Sequence, residues 1–305
     1  MVTFFLRRSV RGVITLWGVV TAVFFVLRLS GDPVALLVPA DAPIAYIEQV
    51  RHRLGFDRPL IVQYGIYLKQ LLLGDFGESV RQQVPAVQLV LERLPKTLEL
   101  AAVAFAIAIA VAIPLGLVSA LRPNGVVDNV AVFVALIGQS TPTFFIGIVL
   151  ILVFGLKLDL FPISGTGGWQ NLIMPAVTLA AFSMASIARL TRSAFLEVLR
   201  QDYIRVARAK GLRERAVVMR HAFKNAAIPI ITITGLQLGS LLSGAIVTEQ
   251  VFAWPGIGLL AINAIYNRDY PVVQAVVIFI AGMFVVLNLL TDLIYAWMDP
   301  RMRVR

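Results

Sequence analysis

Cysteine is missing altogether from the 305 residues, and histidine occurs only twice, as His52 and His221. Disulfides, thiolate metal sites and cysteine nucleophiles are thereby excluded, and neither histidine belongs to a metal-spacing motif. Charge is scarce too: Asp, Glu, Lys and Arg make up 14% of the chain, where a soluble domain carries about 25%. Acids are the scarcer sign, 17 against 27 Lys and Arg, for a formal net charge of +10. What is abundant is apolar. Hydrophobic residues account for 59% and gather into long runs that a water-soluble amphipathic fold does not tolerate. The chain therefore reads as an integral membrane protein, with its positive excess a matter of topology and lipid contact rather than nucleic-acid binding.

A hydrocarbon core of about 30 Å needs roughly 20 helical residues. Six stretches reach that length: Val10–Leu29, Thr97–Leu121, Asn129–Leu156, Asn171–Leu190, Ala226–Thr248 and Val272–Trp297. None shows the strict alternation of a barrel strand, so the expectation is an all-α polytopic fold with six transmembrane helices. Arg7, Arg8, Arg11, Arg122, the cluster from Arg200 to Lys224, and Arg301, Arg303 and Arg305 all fall on one side of such a bundle. The opposite side holds Ser30–Pro95, where acids and bases mix. The positive-inside rule then places both termini in the cytoplasm. The first span reads as an uncleaved signal anchor, because its apolar run is long and Ala40-Asp41-Ala42 comes too late for cleavage.

Between the first two spans, Ile44–Leu54, Leu60–Leu73 and Val84–Leu94 carry apolar residues at three- and four-residue spacing. Ile44, Ile47, Val50 and Leu54 form one stripe; Val87, Val90, Leu91 and Leu94 form another. Short amphipathic helices in an external cap are predicted. Packing on the outer ends of the spans is the preferred reading, ahead of reception of a delivery protein.

The charge-rich stretch ARAKGLRERAVVMRHAFKN, Ala207 to Asn225, lies between the fourth and fifth spans. Ile204 and Ala207 share one helical face before Gly211 interrupts. Beyond it, Leu212, Ala216, Met219 and Phe223 predict a second apolar stripe. Gly211 is unfavourable inside a helix and marks a turn between two short helices. Such an elbow suits two roles: an interfacial helix on anionic lipid, or a plug docked in a groove of a soluble partner. Small residues flanking a glycine favour close approach to protein.

The run Tyr203-Ile204-Arg205-Val206-Ala207-Arg208-Ala209-Lys210-Gly211-Leu212, followed by Arg220-His221-Ala222-Phe223-Lys224-Asn225-Ala226 and Ile228-Pro229, resembles the cytoplasmic loop of binding-protein-dependent ABC importer permeases. The general family pattern is Glu-Ala-Ala, three residues, then Gly. Only Ala207 and Gly211 match it, since Arg205 and Val206 stand in the first two places, a departure typical of the peptide/nickel branch. Gly31-Asp32-Pro33, Leu54-Gly55-Phe56-Asp57-Arg58-Pro59-Leu60, Arg93-Leu94-Pro95 with Thr97-Leu98-Glu99, and Thr248-Glu249-Gln250-Val251-Phe252-Ala253-Trp254-Pro255-Gly256-Ile257-Gly258 agree with that branch. The long region after the first span resembles the first of its two permease subunits.

The resemblance implies a permease in a bacterial inner membrane that pairs with a second, homologous permease and two cytoplasmic ATPase subunits. An external binding protein would deliver a di- or oligopeptide; nickel, glutathione or another small polar solute is the alternative within the family. ATP and magnesium would be held by the ATPases, with no cofactor and no enzymatic activity on this chain. Arg205, Ala207, Arg208, Lys210, Gly211, Leu212 and His221 would form the ATPase-coupling elbow. The implied organisation is residues 1–30 as N-terminus and first span, 31–95 as periplasmic helical cap, and 96–305 as a five-helix core with its coupling loop at 200–225.

Within the spans, Gly235, Gly239 and Ser243 follow a small-xxx-small pattern that predicts a close helix contact. Pro114, Pro142 and Pro175 are expected to kink or end their helices. Gln139, Ser140, Gln237, Glu249, Asn288 and Asp292 are candidate lining residues of a polar path; for each alone, interhelical hydrogen bonding is the simpler reading. Arg189 and Arg192 are expected to snorkel to the membrane boundary. Gly165-Thr166-Gly167-Gly168 and Gly256-Ile257-Gly258 do not continue into a phosphate loop, which argues against a nucleotide site. An ion-coupled carrier or channel is the stronger rival, but the elbow and the lack of a detectable inverted repeat speak against it.

Overall fold

A computed structural model of the chain describes residues 2–29, 34, 42–53 and 55–298. The motif Gly31-Asp32-Pro33, the pattern at Ala40 and Asp41, Leu54 in the first cap stripe, and Arg301, Arg303 and Arg305 lie outside the described residues. The helices run α1 Val2–Leu29, α2 Ile44–Arg53, α3 Leu60–Leu72, α4 Ala86–Leu121, α5 Val126–Ser140 and α6 Thr143–Leu150, the last continuing as a π-helical segment, Ile151–Lys157. They continue with α7 Trp169–Leu199, α8 Asp202–Ala209, α9 Glu214–Val251, α10 Ile257–Tyr266 and α11 Tyr270–Met298. Among the described residues the strand-like pairing is a lone bridge between Glu78 and Pro85.

Among the described residues, five helices are long and apolar enough to cross a membrane: Leu6–Leu29, Ala86–Leu121, Trp169–Leu199, Glu214–Val251 and Tyr270–Leu293. The sixth expected span is not one rod. α5 and the helix that follows it meet at a bend of 110°. Proline explains the break: Pro142 offers no N–H and forces its predecessor out of helical conformation. Thr141 accordingly adopts φ −91° and ψ 127°.

A second difference concerns Val84–Leu94, expected as a separate cap helix. Its residues from Ala86 onward are the first turns of α4, which passes through Pro95 without ending. A proline removes one internal hydrogen bond. Burial on either side of it, at Val90 and at Leu100 and Ala104, holds the helix together.

The chain divides into two compact units. One comprises Phe5–Pro95 and Gly256–Val285. In it α1 meets α3, with Thr21 Oγ1 2.6 Å from the Tyr64 hydroxyl and Phe24 stacked on Tyr67 at 5.3 Å between centroids. Neither α2 nor α3 has a fully buried residue; in the first cap stripe Ile44 is exposed and Ile47 and Val50 are half-buried, whereas Val90 of the second is buried. The stem before α4 is held by Asp269, which is buried. Its carboxylate accepts from Ser79 Oγ at 2.6 Å and from the Val80 backbone N–H at 3.2 Å. Ala86, Val90, Ile257, Val272 and Val276 form the apolar core of this unit.

The other unit is built on Lys96–Pro255. α7 is its axis: 67% of its most apolar stretch is buried, against 11–33% for the other spanning helices. α9, α5 and α6 all pack on it. Alanines at 104, 108 and 112 recur every fourth residue along α4 and join Ala176, Ala180 and Ile187 of α7 in one core. A small-residue stripe of this kind lets helix backbones approach closely. The approach is tightest at Gly116, where a Cβ would lie 2.6 Å from the Ala188 carbonyl oxygen and 2.7 Å from Thr191 Cβ.

Candidate functional site

The elbow is built as two helices around a glycine. α8 ends at Ala209, Lys210 caps it, and Gly211 takes φ +75°, a left-handed conformation that suits glycine. Arg208 and Glu214 clasp the turn from either side, with Nε donating to Oε2 at 3.1 Å and Nη2 to Oε1 at 2.6 Å. The Glu214 carboxylate holds the Arg208 guanidinium above its ordinary value. Both side chains are exposed, so the clasp contributes at most about 1 kcal/mol. Its geometric effect is to fix the turn.

Which face is buried is the informative part. Ile204 and Ala207 are buried in the chain's own core with Phe195, Val217, Val218 and Ala222. Ala207 is therefore turned inward, while Arg205, Arg208, Lys210, Gly211 and Leu212 are exposed and His221 is half-buried. Of the expected stripe Leu212, Ala216, Met219 and Phe223, Leu212 and Met219 are exposed, 42% and 54%, and Ala216 and Phe223 are half-buried, so it lies at the surface of the chain. Leu212 itself precedes the helix, which starts at Glu214, and the winding of Val217–Ala222 as a π-helix takes Met219 and Phe223 out of step with the α-helical period. Sequence reasoning missed two exposed residues of α8, Val206 at 52% and Tyr203 at 41%. The Tyr203 hydroxyl accepts from Asn225 Nδ2 at 2.6 Å. An exposed apolar residue among arginines was the available signal.

The polar residues of the spans separate into distinct sites. Gln139 Nε2 donates to Ser186 Oγ at 2.9 Å, and the buried Ser183 Oγ donates to Gln237 Oε1 at 3.2 Å. Ser240 Oγ also reaches Gln237 Oε1, at 2.8 Å. Ser183 and Ser186 are one turn apart on α7, so one helix bonds to α9 and α5 at adjacent levels. Glu249 lies at the far end of α9, fully buried, where it accepts from Thr97 Oγ1 at 2.6 Å. Close by, Trp254 Nε1 donates to the Lys96 carbonyl at 2.9 Å. Ser140 and Asn288 are exposed, and Asp292 is buried on α11. In the small-xxx-small run, Gly239 is buried, Gly235 half-buried and Ser243 exposed, so the pattern is not enclosed along its length within this chain.

Arg192 does not snorkel. Its Nε and Nη2 donate to Asp128 Oδ1 and Oδ2 at 2.5 and 2.7 Å, and the Asn124 N–H donates to Oδ2 at 2.8 Å. The Asp128 side chain is 2% exposed and that of Arg192 28%. A bidentate, charge-assisted pair of this kind is directional as well as strong. It ties the first turn of α5 to α7.

Long apolar helices, buried polar bonds between them and a basic elbow projecting from two of them define a polytopic membrane protein. The chain belongs to the family of binding-protein-dependent transport system inner membrane components, which matches residues 112–304; the corresponding N-terminal family matches residues 1–101. It is similar to the glutathione transport system permease protein GsiC of Pectobacterium atrosepticum, 40% identical over 306 residues and 100% of both chains. It is also similar to the oligopeptide transport system permease protein AppB of Bacillus subtilis, 39% identical over 99% of both. Among solved structures, an inward-facing MetNI methionine ABC transporter shares the fold with a TM-score of 0.58 at 17% identity, covering 70% of this chain and 97% of that one.

Proposed function

We propose that this permease forms one half of the translocation path of an ATP-driven importer of short peptides, with glutathione and di- or oligopeptides as the substrate class. The permease relatives named for glutathione and for oligopeptides, alike over nearly the whole chain, support that class. A second homologous permease supplies the other half. An external binding protein presents the substrate, and two cytoplasmic ATPases hold ATP and magnesium. Both termini and the elbow face the cytoplasm of a bacterial inner membrane, as the Lys/Arg distribution requires.

The observation that carries the coupling role is the division of α8 into two faces. Ile204 and Ala207 anchor it to the bundle, leaving Tyr203, Val206, Arg205 and Lys210 outward. An exposed apolar pair flanked by cations fits a groove in a protein partner. A displacement of α8 would pass through that buried anchor to α7 and α9. Gln139, Gln237 and Ser183 are the polar groups at the level where α5, α7 and α9 meet, and they are the path residues we favour; Glu249 instead braces α4 at Thr97.

The native chain has no cysteine, which gives a clean background for crosslinking. Val206→Cys is expected to crosslink to a single cysteine in the ATPase groove of the assembled importer. Vesicles reconstituted with the binding protein are expected to accumulate glutathione or a dipeptide only with ATP. Uptake that persists when ATP hydrolysis is blocked would instead establish an ion-coupled carrier.

A further inference from the structure

One pocket of the Lys96–Pro255 unit touches the path candidates only at Gln139, which lines one side of it. It opens between α4, α5 and α7, close to the loop that joins α4 to α5. Leu115, Val132, Ala135 and Leu136 make its wall apolar. Besides Gln139, bonded to Ser186, and Arg192, paired with Asp128, two polar features interrupt the wall. Ser119 lines it, is 1% exposed, and its hydroxyl has no hydrogen-bond partner. A helical serine often donates to a carbonyl of the preceding turn; Ser119 does not, which leaves its hydroxyl free to donate into the pocket. The second feature is Arg189, exposed at the pocket, with no acidic partner among the described residues. Neighbouring Arg192 is already neutralised by Asp128. The pocket therefore carries one unopposed positive charge, one spare donor and an apolar wall, beside exposed Phe133 and Ile137 on α5.

We propose that this pocket is a binding site for an anionic phospholipid. One acyl chain lies along Leu115, Ala135 and Leu136, and the headgroup phosphate pairs with Arg189. The Ser119 hydroxyl donates to a phosphate or ester oxygen. Basic pockets between membrane helices recognise anionic headgroups by this division of labour. Bound there, the lipid would wedge the same helices that the Asp128–Arg192 pair joins. The proposal requires only a membrane-embedded chain, and it stands or falls independently of the substrate.

The test uses the assembled importer in nanodiscs, with Leu136→Trp as a reporter and the parent complex as its blank. Dibrominated phosphatidylglycerol is expected to quench the added tryptophan with about fivefold higher affinity than dibrominated phosphatidylcholine, equivalent to about 1 kcal/mol at 1.4 kcal/mol per tenfold. Arg189→Gln should bring the ratio close to one, while Arg200→Gln, an exposed cation elsewhere, should leave it unchanged. Equal quenching by the two lipids overturns the proposal, as does quenching by neither, which would mean that protein covers the pocket. Relief of quenching by inorganic phosphate would assign the site to a free anion and also overturn it. Should Leu136→Trp fail to assemble, native mass spectrometry of the parent and Arg189→Gln complexes decides the matter: retained phosphatidylglycerol must fall in the variant.

Discussion

Replacing Arg192 by Met strands the Asp128 carboxylate, and the two partners' exposures set the size of the effect. The carboxylate is 2% exposed and the guanidinium 28%. Without Arg192, Asp128 keeps the Asn124 N–H but loses both charge-assisted bonds. Breaking a buried pair from this side costs about 3–5 kcal/mol. Asp128→Ala leaves a guanidinium that can turn toward solvent, so the expected loss is smaller, about 1–3 kcal/mol. The double variant Asp128→Ala/Arg192→Met should be more stable than Arg192→Met alone, with a coupling energy of about 2 kcal/mol. Unfolding of the purified chain in mixed micelles titrated with SDS, followed by tryptophan fluorescence, measures all three. A loss below about 1 kcal/mol for Arg192→Met, a reversed order of the single variants, or an additive double variant would refute the reasoning.

Two further outcomes follow from packing. Gly116→Ala drives a methyl into the Ala188 carbonyl and Thr191 and should destabilise the same unfolding transition by about 1–3 kcal/mol, whereas Gly138→Ala, whose Cβ would find ordinary contacts at 3.4 and 3.5 Å, should be tolerated. Tyr67 and Tyr64 should behave oppositely. Burial, with a smaller contribution from Tyr64, pushes the Tyr67 phenol above its ordinary value, and its hydroxyl has no partner; Tyr67→Phe should be neutral or stabilising, while Tyr64→Phe, which breaks the bond to Thr21, should cost about 1 kcal/mol.

Apolar run length made five spans legible, because a helix in hydrocarbon must satisfy its own backbone and so declares itself by length. The same criterion ran across Pro142 and joined two helices that stand at 110°; length alone does not register a change of direction. At the elbow, Gly211 announced the turn correctly. The stripe beyond it lies at the surface, but its regular spacing was not legible: Leu212 stands ahead of the helix, and Val217–Ala222 does not keep 3.6 residues per turn. Asp128 and Arg192 are 64 positions apart, and nothing in either neighbourhood names the other. Pairings of this kind are set by how α5 and α7 lie together. The polar residues of the spans were visible as exceptions in apolar surroundings, but their partners, Ser186 for Gln139 and Thr97 for Glu249, emerge only from the fold.

α9 leaves the elbow as a single piece of 38 residues, so at about 1.5 Å per residue it is about 57 Å long. Swinging one end by roughly 10° about the other would carry the free tip about 10 Å. A small nudge at the knuckle thus becomes a wide sweep at the far rim, unless the helix yields at Pro229, where a proline removes a backbone bond inside the shaft. Stiffness at that proline decides how much of a push applied to Val206 is still felt beside Glu249.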